Sequence, residues 1–278
     1  MTARRDEILR ELGLWPVWRL REDVSGTPAA GGGAHATAPV PVVADASAGE
    51  SGPPRLPERT AAAGSPAPSK SGPAALEIDA RAAEILRMDW PQLKQSADGC
   101  TACPLHKGRN KTVFGVGDEQ ADWLFVGEGP GADEDVKGEP FVGQAGKLLD
   151  NMLAAIRLKR GHNVYIANVV KCRPPGNRNP EPAEAKQCEP YLQRQIALLQ
   201  PKLIVALGKV AAVNLLGRDA SIAGMRGKVH EYQGIPLIVT YHPAYLLRTL
   251  PEKARSWVDL RFAVDTMAGL QTGDAAPN

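Results

Sequence analysis

The sequence predicts an α/β protein in which a mainly parallel sheet lies between two layers of helices, a three-layer α/β/α arrangement. Short apolar runs of strand length alternate along the chain with longer segments of helical periodicity. The apolar runs are rich in β-branched residues and carry few charges, as expected of strands that are covered on both faces.

The predicted elements run from about residue 76 to residue 270 without an internal repeat. Strands are predicted at 123–126, 164–170, 203–207, 228–232 and 235–241, the last two as a hairpin-like pair. Helices are predicted at 90–97, 145–156, 182–199, 208–216 and 252–267. In the last helix, one buried face is predicted from the spacing of Ala254, Trp257, Leu260, Val264 and Met267.

Composition separates the N-terminal quarter from this domain. Residues 1–24 join a charged helical pattern to an apolar patch, which either folds back on the domain or docks a protein partner. Residues 25–75 are dominated by Ala, Gly, Pro and Ser, so we expect a disordered linker there. Residues 76–270 form the predicted domain, and 271–278 a flexible tail.

Bulk properties limit the classes of function. The chain has 278 residues, 43% of them hydrophobic, and its net charge of +2 argues neither for nor against a nucleic-acid partner. No apolar run approaches the roughly 20 residues that cross a bilayer, and the N-terminus lacks a secretory signal. We therefore expect an intracellular, cytoplasmic protein whose cysteines are not paired in disulfides.

A glycine-rich loop follows the first predicted strand and reads Gly127-Glu128-Gly129-Pro130-Gly131. In open α/β sheets ligands bind in crevices at the carboxyl ends of strands. Glycines at such a turn let backbone N–H groups approach a ligand without obstruction. The spacing fits neither a P-loop nor a dinucleotide fingerprint, so we expect a ligand site of another kind.

Four cysteines lie in the predicted domain, as Cys100-x2-Cys103 and Cys172-x15-Cys188. Thiolates at this density in an intracellular protein usually hold a metal. Structural zinc more often draws on two close pairs, whereas an iron–sulfur cluster tolerates scattered ligands. The spacing favours the cluster and leaves zinc and free buried thiols open.

Three polar residues, Glu128, Asn168 and His242, each follow the end of a different predicted strand, and Phe141 adds an aromatic face nearby. An aromatic ring can stack a planar ligand, an amide can bond an adjacent donor and acceptor, and a histidine can support a developing oxyanion. This combination suits a pyrimidine base flipped out of DNA.

These residues lie in motifs that resemble the family 4 uracil-DNA glycosylases, the iron–sulfur enzymes of the uracil-DNA glycosylase superfamily. The motifs are Gly-Glu-Gly-Pro-Gly, Glu-Pro-Phe-Val-Gly-Gln-Ala-Gly, Asn-Val-Val-Lys-Cys-Arg-Pro-Pro-Gly-Asn-Arg and His-Pro-Ala-Tyr-Leu-Leu-Arg, with the four cysteines interleaved. The match covers about residues 98–268. It implies a DNA-repair hydrolase that removes uracil from DNA and initiates base excision repair, working near the nucleoid as a monomer.

The resemblance also implies how the base is recognised. Phe141 would stack on the extruded uracil, and the Asn168 amide would pair with uracil N3–H and O4, which disfavours cytosine. Glu134 would fill the space beside C5 and exclude the methyl group of thymine. His242 would bond uracil O2 as charge grows on the leaving base.

Backbone amides of the Gly127 and Gly129 turn would assist as in an oxyanion site, and Glu128 would orient the attacking water. The best-known members of the superfamily place an aspartate where this chain has Gly129. The resemblance implies that four residues contact DNA: Leu246, which wedges into the duplex with Leu247 beside it, and Arg173, Arg178 and Arg248, which meet phosphates. The basic run at 107–111 could meet phosphates as well.

With the resemblance, the cysteines imply a [4Fe–4S] cluster that fixes the DNA-facing loop. An alternative of another class is an iron–sulfur accessory protein that binds DNA without glycosylase activity. Such a protein would not need Phe141, Asn168 and His242 to share a pocket.

Overall fold

The computed structural model describes residues 80–272. Its strands are β1 Val116–Gly117, β2 Trp123–Gly127, β3 Val164–Asn168, β4 Leu203–Leu207, β5 His230–Tyr232 and β6 Ile235–Thr240. They form one six-stranded sheet in the order β1-β3-β2-β4-β6-β5. The four inner strands are parallel, and β1 and β5 pair antiparallel at the edges. The predicted mainly parallel sheet is confirmed.

Helices cover both faces of this sheet. They are α1 Trp90–Asp98, α2 Ala132–Lys137, α3 Gln144–Ala155, α4 Pro182–Leu199, α5 Lys209–Leu216, α6 Ile222–Met225, α7 Pro243–Arg248 and α8 Glu252–Thr272. Leu124 and Val126 of β2 face a core shared with α1, α4 and α5. Trp123 and Phe125 face a second core shared with α3 and α8. Alternate strand residues therefore face opposite helical layers, which gives the predicted three layers.

Three short helices, α2, α6 and α7, were not predicted from the sequence. They lie in the connections between predicted elements, at 127–144, 217–227 and 242–251. Each has only four to six residues, which is too few for a clear apolar period. The predicted boundaries of α4, by contrast, are confirmed, with Pro182 at its first position.

The buried face of α8 also differs from the prediction. Trp257 is 43% exposed, whereas Ser256 and Asp259 are 2% exposed. These two polar side chains turn inward because both contact the hydroxyl of Thr240, at 2.7 and 2.8 Å. Both carboxylate oxygens of Asp259 also accept from Arg226, from Nε at 2.6 Å and from Nη2 at 3.0 Å.

The predicted segments at 1–24 and 25–75, and residues 273–278 of the predicted tail, lie outside the described residues. Residues 271 and 272 belong to α8. Within 80–272, no helix combines the length and the apolar character that crossing a bilayer requires.

The Arg226–Asp259 pair gives a prediction about stability. We expect Asp259→Ala to lower the free energy of unfolding by about 3–5 kcal/mol, because it leaves a partly buried guanidinium uncompensated. Urea denaturation followed by circular dichroism measures this change. Glu119→Ala, which breaks the exposed Lys94–Glu119 pair, is the matched control and should cost less than about 1 kcal/mol. Equal losses in the two variants would contradict the prediction.

Candidate functional site

A cavity of about 440 Å³ opens at the carboxyl ends of β2, β3 and β6. The chain passes from β3 on one side of β2 to β4 on the other side, so this edge is a topological switch point. The cavity is lined by Glu128, Phe141, Asn168 and His242, among others. The residues that were predicted to converge from separate strand ends therefore meet in one cavity.

Gly127 allows the side chains of Asn168 and Phe141 to come close to the end of β2. It pairs in register with Asn168, each at the end of its strand. A Cβ on Gly127 would lie 2.5 Å from both Asn168 Oδ1 and Phe141 Cζ, closer than real Cβ contacts allow. The missing side chain thus lets the amide and the aromatic ring come together.

Asn168 is 2% exposed, and its Oδ1 is the one buried side-chain nitrogen or oxygen in residues 80–272 without a hydrogen-bond partner. Leaving a buried acceptor unsatisfied is costly. In a cavity wall, such an acceptor is suited to a ligand that brings an N–H or O–H donor.

Lys171 supports the backbone of Asn168, although no role was predicted for it. Its Nζ donates to the backbone carbonyl of Asn168 at 2.7 Å and to Gln195 Oε1 at 2.6 Å. Burial lowers the pKa of Lys171 to about 8, against the opposing effect of nearby thiols. A lysine directly after the apolar run of β3 was the signal that could have revealed this support.

His242 lies beside Phe141, with ring centroids 5.5 Å apart. Its Nδ1 accepts a hydrogen bond from the Ala244 backbone N–H at 3.1 Å, so the proton of the neutral ring is on Nε2. Burial, with a smaller contribution from Arg248, lowers the pKa of His242 to about 4. Gly208, at φ +92°, makes room for it, since a Cβ there would lie 2.9 Å from His242 Cβ.

Glu134 is held by backbone donors on both of its oxygens. Oε1 accepts from the N–H groups of Val142 and Gly143 at 2.9 and 3.1 Å, and Oε2 accepts from Gly131 at 3.1 Å. The carboxylate therefore joins the two loops beside the cavity and lines its wall. The other carboxylate of the cavity, Glu128, is half-buried, and burial raises its pKa.

Leu246 differs from what a wedge residue requires, since it is 1% exposed and packs in the core with α3 and α8. Its neighbour Leu247 is 41% exposed. Arg178 makes a two-pronged ion pair with Glu184, at 2.7 and 2.8 Å, which gives its guanidinium a partner within the chain.

Arg178 nevertheless stays accessible, with its side chain 38% exposed on the cavity wall. Arg173 is half-buried and donates to Asn177 Oδ1 at 2.7 Å. Arg248, at the end of α7, is exposed and lines the cavity.

Cys172 and Cys188 belong to the first core, and Cys100 and Cys103 pack against it. Burial is the main cause that raises the pKa of Cys103, Cys172 and Cys188, the last to about 12, and each of these pKa values is raised further by another of the four thiols. Within residues 80–272, no three His, Cys, Asp or Glu side chains are close enough to hold a single metal ion.

Cations and N–H groups surround these sulfurs. Arg81 donates to Cys100 Sγ at 3.3 Å, Arg109 to Cys172 Sγ at 3.1 Å, and the backbone N–H of Lys171 to Cys188 Sγ at 3.3 Å. Arg109 also donates to the carbonyl of Cys100 at 2.8 Å. One member of the basic run at 107–111 is therefore directed at the cysteines rather than at solvent.

The model of the Uracil DNA glycosylase superfamily matches residues 114–261. The chain is similar to the type-4 uracil-DNA glycosylase of Archaeoglobus fulgidus, at 50% identity over 53% of this chain and 78% of the relative. Enzymes of the same name from Pyrobaculum aerophilum and Thermotoga maritima are each 46% identical, over 58% and 56% of this chain and 86% and 82% of the relatives.

The environment of His242 predicts an unusual titration. We expect its NMR signals, assigned by their loss in His242→Asn, to titrate near pH 4 and to show the proton on Nε2 at neutral pH. The folded pKa lies below the ordinary value of 6.5, so the contribution of this group to stability is complete above that pH and declines as the pH falls towards 4. A midpoint near 6.5 would contradict the prediction.

Proposed function

This chain belongs to the type-4 group of the uracil-DNA glycosylase superfamily, and we propose that it hydrolyses the N-glycosidic bond of uracil in DNA and leaves an abasic site. The base would be flipped out of the helix into the cavity beside Asn168, because its glycosidic bond is not accessible inside a duplex. Such a reaction initiates base excision repair.

The observation that carries this proposal is the unpartnered Oδ1 of Asn168. Uracil has an N–H donor at N3 next to a carbonyl acceptor at C4, which match the oxygen and the NH2 group of the amide. Cytosine reverses this pattern, with an acceptor at N3 and a donor at C4. Its binding would leave buried groups unpaired, at about 1–3 kcal/mol for each.

The remaining contacts with the base follow from the walls of the cavity. The ring of Phe141 stacks on the flat face of uracil. Glu134 occupies the space beside C5 and excludes the methyl group of thymine. Its carboxylate is suited to this because three backbone N–H groups fix it, so it cannot swing away.

His242 stabilises the departing base. As the C1′–N1 bond breaks, the bonding electrons move onto the uracil ring, and negative charge collects on O2. The Nε2–H of neutral His242 donates to that oxygen, and backbone N–H groups of the turn that contains Gly127 and Gly129 assist. A neutral donor is available over the physiological range because the pKa of His242 is about 4.

Glu128 orients the attacking water and accepts its proton. The hydroxide portion of the water joins C1′, and the base leaves as an anion that later takes up a proton. Burial raises the pKa of Glu128 towards the range in which a carboxylate is an effective general base. Activity should therefore decrease at acidic pH as Glu128 becomes protonated.

The DNA backbone is contacted by Arg248, which is exposed and lines the cavity, and by Arg173 of the loop after Cys172. Leu247 takes the wedge position, since it is exposed while Leu246 is buried. Arg178 acts through Glu184 to shape the loop after Cys172. These contacts require no second chain, because the whole cavity is formed within one protein, and we propose that a monomer acts on the DNA of the nucleoid.

The cysteines fit a [4Fe–4S] cluster held by Cys100, Cys103, Cys172 and Cys188. Four cysteines, three of whose sulfurs accept from an arginine or a backbone N–H, suit an anionic, thiolate-ligated cluster. Cys188 of α4 and Cys172 at the start of the DNA-facing loop would both hold the cluster, which would crosslink these two segments. The cluster would take no part in the hydrolysis, which is not a redox reaction.

A substitution at Asn168 tests the proposed recognition. We expect Asn168→Asp to reduce uracil excision at least about a hundredfold, because it repels O4 and buries an uncompensated charge. Release of abasic sites from a uracil-containing oligonucleotide, followed by alkaline cleavage, measures the rate. The matched control is Asn214→Asp, an exposed position on α5, which should keep full activity.

Unchanged excision by Asn168→Asp would remove Asn168 as the residue that recognises the base. A wild-type protein that binds DNA and forms no abasic sites would overturn the proposed function and favour the accessory-protein alternative.

The cluster assignment has its own test. We expect the purified protein to absorb at roughly 400 nm and to contain about four iron atoms per chain. Cys172→Ser should lose most of this absorbance and iron. A colourless protein with one zinc ion would overturn the assignment, and a fully loaded Cys172→Ser variant would exclude that cysteine as a ligand.

A further inference from the structure

Phe141 has a backbone conformation that its side chain disfavours. Its φ is +55°, in the left-handed region that bulky residues rarely adopt. Such a conformation persists only when its surroundings enforce it, and it commonly occurs at functional sites. Because Phe141 is the residue proposed to stack on the base, the groups that enforce its conformation bear directly on the reaction.

Arg160 makes the most specific of these contacts from outside the cavity. Its Nη1 donates to the carbonyl of Pro140 and its Nη2 to the carbonyl of Phe141, both at 2.8 Å. Its Nε donates to Asp150 Oδ1 at 3.0 Å, which fixes the guanidinium against α3. One planar group thus bonds two successive carbonyls and one carboxylate.

The peptide of Phe141 is confined on its other sides as well. A Cβ on Gly146 would lie 1.8 Å from the Phe141 carbonyl oxygen, so the first turn of α3 admits only glycine there. Glu134 holds the next two N–H groups, of Val142 and Gly143. The orientation of the Phe141 carbonyl, and with it the direction of the ring, is fixed between Arg160 and these groups.

We propose that Arg160 is a positioning residue for base recognition: it stabilises the left-handed conformation of Phe141 and so keeps the ring in place to stack on uracil. This inference rests on the proposed function. Arg160 itself is not among the residues that line the cavity and acts through Phe141 alone. Lysine would not replace it fully, because a single ammonium cannot reproduce the planar fork.

A double-mutant cycle tests this role. We expect Arg160→Ala to slow single-turnover uracil excision about 10- to 100-fold, in line with the effect of a small misplacement of a substrate-positioning group. Arg160→Lys should recover part of that loss. In a Phe141→Ala background, Arg160→Ala should have little further effect, because the ring on which it acts is gone.

Arg157→Ala, which removes an exposed positive charge from the same connection, is the control and should leave excision unchanged. A wild-type excision rate in Arg160→Ala would overturn the inference. It would also be overturned if the double mutant lost the full product of the two single-mutant reductions in rate, since an arginine with only a structural role would give that result. If Arg160→Ala did not fold, the excision rate of Arg160→Lys would be measured in the wild-type and the Phe141→Ala backgrounds. A reduction that appears only when Phe141 is present would support the inference, and an equal reduction in both would overturn it.

A wild-type protein that formed no abasic sites would contradict the proposed function instead. The crystal structure of the Arg160 variant would then decide the inference. A Phe141 ring that remained in the cavity at positive φ would overturn it, and a ring that left the cavity would support it.

Discussion

The cavity depends on a steric constraint at Gly127, the last residue of β2. An amide, an aromatic ring and the strand end occupy the space that a side chain would otherwise take, since a Cβ there would lie 2.5 Å from both Asn168 and Phe141. The parallel register brings Asn168 to this point, and the switch in strand order beside β2 leaves the space above it open. The fold thus supplies a narrow place in which one flat molecule can meet both groups.

Around this place, the side chains that hold the walls differ from those proposed to contact the base. Arg160 and Glu134 bind backbone groups of the loop that carries Phe141. Lys171 binds the backbone of Asn168, and the N-cap bond of α7 fixes the tautomer of His242. These bonds to the backbone hold the cavity walls in place. Asn168 Oδ1 and His242 Nε2 are therefore not needed for structural hydrogen bonds and can be directed at a ligand.

Much of this could be predicted from the sequence, and the misses have physical causes. The apolar runs and the proline at the start of α4 predicted the sheet and its two helical layers. Strands that are buried on both faces have near-continuous apolar sequences, which are easy to recognise. The six-residue helices α2 and α7 leave no such pattern, so the prediction chose Leu246 for exposure when the helical turn exposes Leu247. Trp257 was assigned to a buried face because hydropathy does not reveal that Asp259 pairs with Arg226. Arg160 went unnoticed because two of its three partners are backbone carbonyls, which no sequence pattern records.

The edges of the sheet have a consequence for how the protein behaves in a crowded solution. The outer strands are only two and three residues long, β1 at one side and β5 at the other. Long exposed strands offer a row of free N–H and C=O groups on which another chain can grow as an added strand. Edge strands as short as β1 and β5 offer almost no such template. The apolar centre of the sheet is therefore protected from the edge-to-edge association that leads to aggregates.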